Sequence, residues 1–451
     1  MAHTITIKRG YDIRIEGAAA PQIESAVESE KVALTPVDCR GISSRNAVEA
    51  GDRVQVGTRL FFDKNDERIA GVSPVSGRVT DIIRGKRRVI EAIVVAREGS
   101  QKSGLNFSSR DLSSSDRDTI IDVLLASGLF LQLVQRPFAT VASPDDVPRD
   151  IFISAFDTSP LAPETDMLLT GNEEYIRRGI RVLAALTSGS VHVGVDGSRE
   201  TPEIFQTIDD IKIHRFKGPD PAGNVGVHIH HIAPVRGRSD KVWTCSLQGV
   251  IRIGKLFATG KPDNTVTVAV TGPSAPTRKY YTAMAGSQIS SLVEGAGDTA
   301  DKRFISGNVL TGRNAGYEGF LGIYDSQVTV IPEPRDYELL AWVKPGLFQE
   351  SASRTFLSRL MPWMRFPLNA NRNGSVRAFI ASGIYEKVLP MDIYPVFLMK
   401  SIIVQDIDEM EGLGIYELSE EDVALCEFIC PSKISWQKIL RDGIELIQKE
   451  G

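Results

Sequence analysis

Two stretches hold the side chains best placed to do chemistry. The first, SGLFLQLVQRPF (residues 127–138), follows a helix-like run. An α/β nucleotide-binding domain places a glycine-rich turn at this point, because only Gly lets backbone N–H groups approach a phosphate closely. Here one Gly is followed by bulky residues, and neither G-x-G-x-x-G nor a Walker A motif occurs in the chain. A phosphate-bearing cofactor bound in the usual way is therefore not expected. Leu129, Phe130 and Phe138, with Arg136 as donor, instead suit a flat apolar ring with two carbonyl acceptors, as in a quinone headgroup. Ordinary packing of the same residues is the competing reading. The second stretch is His228-Ile229-His230-His231, after GPDPAGNVGV. On a strand, His228 and His230 would share a face and could ligate one metal. No neighbouring Cys or carboxylate pair completes a tetrahedral set, so no metal is expected. Hydrogen bonding, or proton delivery to a reduced quinone by a group titrating near neutrality, is the alternative.

Two further motifs carry weaker signals. Cys426-x-x-x-Cys430-Pro431 has the Cys-Pro ending of a ferredoxin-type cluster motif. A cluster needs about four thiolates, and Cys39 and Cys245 lie far off in sequence, so buried helix cysteines are expected. Arg84, Lys86, Arg87 and Arg88 form a tight basic turn, read either as a solvated face or as a docking patch for anionic lipid headgroups or an acidic partner. No G-x-S-x-G, H-E-x-x-H or triad spacing is present.

The elements that must position these residues follow from periodicity. Ile5, Ile7, Ile13 and Ile15 alternate with polar residues as in half-buried strands. Residues 50–62 (AGDRVQVGTRLFF) and 73–85 (SPVSGRVTDIIRG) read as two Gly-punctuated strand pairs of a biotinyl/lipoyl-like β-sandwich. In such carriers the modified Lys lies about seven residues past the Leu of the first half. That count from Leu60 reaches Glu67, and Lys64 falls short, so residues 1–105 are expected to form the sandwich without a carrier Lys. Residues 106–255 read as a Rossmann-like domain: a helix after Ser115, with Asp118 three residues on and Gly128 as its stop, then a buried strand at 151–156, a helix opened by Asn172, and a strand at 191–195. Residues 256–331 combine an alternating strand (265–273), a short helix (287–293) and a strand (328–331), which suits a ubiquitin-like β-grasp module. Residues 332–451 end in helices preceded by Ser419 and Ser435. The fold class expected is multidomain α/β.

Composition bounds the rest. With 451 residues the chain needs about three domains. Thirty-nine Gly and 23 Pro imply many turns, and a net charge of −5 argues against a binder that neutralises nucleic-acid phosphates. Four Cys do not make a disulfide framework and fit a reducing compartment. The N-terminus lacks the apolar core of a signal peptide. The most apolar stretch, residues 389–404, is interrupted by Asp392, Pro395 and Lys400, so no membrane span is expected.

Several blocks in one order carry a resemblance: ITIKRGYDIRIEG, SPVSGRVTDIIRGKRRV, SGLFLQLVQRPFATV with AFDTSPLAP, FKGPDPAGNVGVHIHHIAPV, ISGNVLTG, ALCEFICPSK and the terminal QKEG. The chain resembles, nearly end to end, the A-subunit family of sodium-translocating NADH:quinone reductases. That family is similar in architecture to the C-subunit of the Rnf complex and to the flavin-bearing NADH subunit of respiratory complex I. In those relatives the Gly-rich loop and the cluster motif are intact, whereas here both are degraded, at 127–138 and 426–431. The resemblance implies a peripheral subunit on the cytoplasmic face of the bacterial inner membrane, with five partner subunits. Chief among these are the covalent-flavin membrane subunit and the NADH-oxidising subunit. It also implies ubiquinone as substrate, with FMN, FAD, riboflavin and iron–sulfur centres on the partners and none on this chain. The expected role is contribution to the quinone site and to assembly; the alternative is a structural adaptor that docks the NADH-oxidising subunit.

Overall fold

The computed structural model describes residues 4–334 and 346–450, apart from residues 100, 102–103, 106, 108–115, 210, 347–348, 351, 353–355 and 373. Ser115 and the serine-rich stretch before it lie outside the described residues. The helix they precede spans Arg117–Ala126 and is capped by Asp116, whose side chain accepts from Thr119 N at 2.9 Å. Gly128 follows in the left-handed conformation, as expected of a helix stop.

Two small sheets with a shared core make the N-terminal sandwich. One runs in the order Lys31–Leu34, Ile90–Arg97, Gly77–Arg84, Arg53–Val54; the other is Ser44–Asn46, Arg59–Asp63, Ala70–Val72. Alternating residues such as Val32, Leu60, Val79, Ile93 and Val95 point inward and are fully buried. Glu67 is exposed on the hairpin between Arg59–Asp63 and Ala70–Val72. Neighbouring Arg68 reaches Asp145 of the next domain at 2.7 Å, so this hairpin is tethered rather than presented as a free arm.

The N-terminal strand forms at Thr4–Thr6, but it pairs in parallel with Ile211–Lys217, at the edge of the second domain's sheet. No strand forms at Ile13 and Ile15; both are buried against the C-terminal helices, and Ile15 bridges to Phe366. Ile23–Val27 then joins the third domain's sheet beside Tyr280–Met284. The first strands thus tie three distant parts of the chain together before the sandwich begins.

The second domain is a seven-stranded sheet in the order Thr4–Thr6, Ile211–Lys217, Val191–Asp196, Ile151–Ser154, Val242–Thr244, Val134–Arg136, Thr140–Val141. Its first five strands are parallel, Val134–Arg136 runs antiparallel to them, and Thr140–Val141 pairs antiparallel to Val134–Arg136. The order reverses between Ile151–Ser154 and Val242–Thr244, where open α/β sheets have their ligand crevice. Helices Glu173–Ala184 and Leu247–Thr259 pack together at glycines. A Cβ on Gly179 would lie 2.2 Å from Val250 O, and one on Gly254 would lie 1.8 Å from Tyr175 O.

The third domain's six-stranded mixed sheet places Thr265–Thr271 between Gln327–Pro332 and Tyr280–Met284, with a short helix at Ile289–Leu292. In the C-terminal region, Pro395–Val404, Ala424–Ile429 and Trp436–Glu450 are helical. Ser419 and Asp422 form a reciprocal capping box over the turn Glu420–Val423. Among the described residues, no helix is long and apolar enough to cross a membrane.

Candidate functional site

The structure divides the residues singled out above between two places. Leu129 and Phe130 are buried in the core shared by the sandwich and the α/β domain, with the Phe130 ring edge-on to Trp243. Arg136, Phe138 and the histidines lie instead at the seam between the α/β domain and the C-terminal region.

The histidine run is a helix, Val225–Ile232, and not a strand. Its Val and Ile residues imitate strand composition, yet the chain enters through the turn 219–224 and winds at once. On a helix, residues two apart point to nearly opposite sides, so His228 and His230 cannot share a metal. His228 is sealed between the rings of Phe216 (4.1 Å) and Phe156 (5.6 Å), with Nε2 donating to Ala222 O at 2.9 Å. Burial pushes its pKa down to about 3, so it stays neutral. His230 faces the C-terminal region. Its Nε2 accepts from Asp392 N at 3.1 Å, which leaves the proton on Nδ1, and that atom donates to Glu417 at 2.7 Å. His231 Nε2 donates to Pro390 O at 3.0 Å, and burial lowers its pKa.

Arg136 is 3% exposed. It donates to Glu421 Oε1 at 2.8 Å and to Asp422 Oδ2 at 3.3 Å. Phe138 lies edge-on to Tyr416 at 5.7 Å, and its carbonyl accepts from Arg441, which also pairs with Glu420. Asp422 Oδ2 takes two more hydrogen bonds, from Ser419 N and Oγ. Its Oδ1 has no partner and rests against Gly226, at the N-terminus of the histidine helix, where a negative charge is favoured. Arg136, Phe138 and His230 are therefore brought together, each already engaged by the segment 416–422.

Arg252 is a residue whose role its sequence context does not announce. A small, partly open cavity of about 20 Å³ lies where three domains meet. It is lined by Leu34 and Val72 of the sandwich, Gly128, Leu131 and Arg252 of the α/β domain, and Asn264 and Ile323 of the third domain, among others. Arg252 is 5% exposed. It donates to Asn264 Oδ1 at 2.6 Å, while its buried Nε has no partner. Burial lowers its pKa to about 10, which leaves it charged at neutral pH. A guanidinium on the buried face of the helix LQGVIRIGKLFAT was the available signal, since such residues are seldom fully buried without a role.

A second group missed from sequence is a relay across the sheet. His214 Nε2 donates to His192 Nδ1 at 2.9 Å, and His192 Nε2 donates to Asp150 Oδ1 at 3.3 Å. The cysteines separate into two cores: Cys39 and Cys245 in one, Cys426 and Cys430 in the other. Among the described residues, no three His, Cys, Asp or Glu side chains are grouped so as to hold a metal.

Three family models match successive parts of the chain: the NqrA N-terminal barrel-sandwich hybrid domain over residues 5–98, the NqrA second alpha/beta domain over 115–262, and the NQRA C-terminal domain over 267–316. The A-subunit of the Na(+)-translocating NADH-quinone reductase of Alcanivorax borkumensis is 38% identical over 450 residues, covering 99% of this chain and 100% of the relative. The protein of the same name from Vibrio atlanticus is 36% identical, again over 99% of this chain and 100% of the relative. The chain belongs to the A-subunit family of Na(+)-translocating NADH-quinone reductases. It is thus a subunit of an oxidoreductase complex that couples NADH and quinone to sodium transport. A chain of an NAD+-reducing [NiFe]-hydrogenase aligns over 75% of this chain and 62% of its own length, at 12% identity and a TM-score of 0.37.

Proposed function

We propose that this chain is the peripheral, cytoplasmic-face subunit of a bacterial sodium-pumping NADH:ubiquinone reductase. In this reading it helps form the quinone site and holds neither flavin nor iron–sulfur cluster. The flavins and iron–sulfur centres sit on the five partner subunits, and this chain docks chiefly on the covalent-flavin membrane subunit and the NADH-oxidising subunit. The finer fold assignment belongs to the same reading: a biotinyl/lipoyl-like sandwich, a Rossmann-like sheet and a β-grasp module. Their degraded cofactor loops would be reused as apolar walls.

The observation that carries the quinone reading is the cavity at the three-domain junction. The loop 127–131, where a flavin-binding relative has its Gly-rich turn, forms one wall. Arg252 supplies a cationic donor whose nearest influential carboxylate, Asp263, is paired with Lys255 at 3.0 Å. A largely apolar, partly open pocket with one such donor suits a carbonyl oxygen. As it stands, the cavity has room for a water, so the reading requires the sandwich to shift against the α/β domain when a ring enters. The N-terminus of Leu247–Thr259, a natural phosphate site, is closed instead by the Ser246 cap, Cys245 and Gln132, which supports the absence of a nucleotide there.

A structural adaptor is the second reading. It is favoured by the engagement of Arg136, His230 and His231 with the chain's own carboxylates and carbonyls. A photoreactive ubiquinone analogue in the assembled complex separates the two. Labelling within 127–138 or around Arg252, blocked by excess ubiquinone, supports the quinone reading; labels confined to other subunits favour the adaptor.

A further inference from the structure

The basic turn at 84–88 is only part of a larger feature. In the fold it meets two more cations from separate strands and loops of the sandwich. Ser44, Arg45, Asn46, Lys64, Arg84, Arg87, Arg88 and Ile90 line an open cleft of about 450 Å³. Five of these eight residues are cationic and none is acidic. Arg84 is held in place by Asn46 Oδ1 (3.1 Å) and by Arg88 O (3.3 Å). Arg87 and Arg88 are both left-handed, at φ +55° and +62°. Glu91 of the same hairpin leans against Gly85 and is not among the lining residues.

Like charges crowded around a concave site repel one another unless an anion is placed between them. A site of this polarity in an otherwise acidic chain fits a phosphate ester, whose oxygens accept several guanidinium donors at once. Two neighbours decide the source of that phosphate. Val89, 48% exposed, and Ile83, 38% exposed, flank the basic tip on the same hairpin. Apolar side chains beside a cluster of cations suit the interfacial region of a bilayer, where the former enter the acyl boundary and the latter bind headgroups. A soluble phosphorylated metabolite would make no use of Val89 and Ile83.

The geometry points to the Arg45–Lys64–Arg84–Arg87–Arg88 cleft as a headgroup site for anionic phospholipid, with Val89 and Ile83 seated in the bilayer surface. This contact is independent of where quinone binds. It would fix the orientation of the sandwich against the membrane.

The test is flotation of the full chain with vesicles of phosphatidylcholine alone, or with about 30 mol% phosphatidylglycerol. The expected result is roughly tenfold or greater preference for the anionic vesicles, abolished by about 0.5 M salt. Arg87→Glu with Arg88→Glu should remove that preference, and the neutralising pair Arg87→Gln, Arg88→Gln should weaken it while sparing the fold. Val89→Ser should reduce binding without changing its salt dependence. Equal binding to both vesicles, or undiminished anionic binding by both double variants, would overturn the proposal. So would saturable binding of free glycerol phosphate without vesicle binding, which would assign the cleft to a soluble phosphate. Binding to an acidic protein partner in the absence of any vesicle binding would overturn it as well.

Discussion

Arg136 of the α/β domain and Asp422 of the C-terminal region form a buried ion pair, with Nη1 3.3 Å from Oδ2. Both residues are nearly inaccessible, and Asp422 Oδ1 has no hydrogen bond at all. Removing the cation would leave a buried carboxylate uncompensated, a change that costs about 3–5 kcal/mol. Arg136→Met should therefore lower the urea midpoint of the isolated chain markedly, and adding Asp422→Asn should recover most of the loss. An unchanged midpoint in the single variant would mean that the pair contributes nothing. One corollary is that activity lost on removing Arg136 would report on the seam and not on a ligand contact.

Gly226 belongs to the same seam. A Cβ at this position would stand 2.4 Å from Asp422 Oδ1, and Asp422 is held by Ser419 and Arg136. Gly226→Ala should destabilise the chain by about 1–3 kcal/mol, as overpacking does, despite alanine's better helix propensity. Combined with Arg136→Met, its effect should be clearly less than additive. Stabilisation by Gly226→Ala, measured by thermal denaturation, would show that the carboxylate moves aside freely.

Asp220 makes the seam's neighbourhood pH-dependent. Burial, and then the Asp157 carboxylate, push its pKa up to about 8. The folded chain thus holds this proton more tightly than the unfolded chain, whose Asp releases it near pH 4, at about 3.9. Between those values the unfolded state binds fewer protons, so this group's contribution makes stability fall as pH rises. Below the window both states are protonated, and above it both are ionised. Asp220→Asn should raise the Tm at pH 8 by roughly 2–4 °C, and the gain should vanish near pH 4. A gain of equal size at both pH values would rule out titration of Asp220 as its source.

Much of the scaffold was legible locally. The strands at 151–154, 191–196 and 265–271 announce themselves by apolar runs or alternation, and Gly128 ends its helix as its conformational freedom suggests. What could not be read is what depends on distant partners. Thr4–Thr6 reads as a strand of the nearest domain but completes a sheet formed some 200 residues later, and Ile23–Val27, which carries no strand signal of its own, joins the sheet of Tyr280–Met284; nothing in either pattern names the partner. The Val225–Ile232 helix invites a strand reading in sequence because half of its eight residues are β-branched. Its turn sequence and the carboxylate of Asp422 at its N-terminus decide otherwise. Arg136 was legible as a significant residue, but not as an ion-pair partner, because Glu421 and Asp422 lie 285 and 286 positions away. Arg252 was hidden by the ordinary expectation that an arginine on a helix reaches solvent.

Arg252 also provides the most direct test of the quinone reading. Its loss strands no ion-pair partner, because Asp263 is held by Lys255 at 3.0 Å, so Arg252→Met should cost no more than the about 1–3 kcal/mol of leaving Asn264 Oδ1 unpaired. Isothermal titration of the isolated chain with a soluble short-chain ubiquinone should show one saturable site, and Arg252→Met should weaken it about tenfold or more, as loss of a charged donor does. Equal affinity in wild type and variant, or no binding to the wild-type chain, would contradict a quinone site at the three-domain junction.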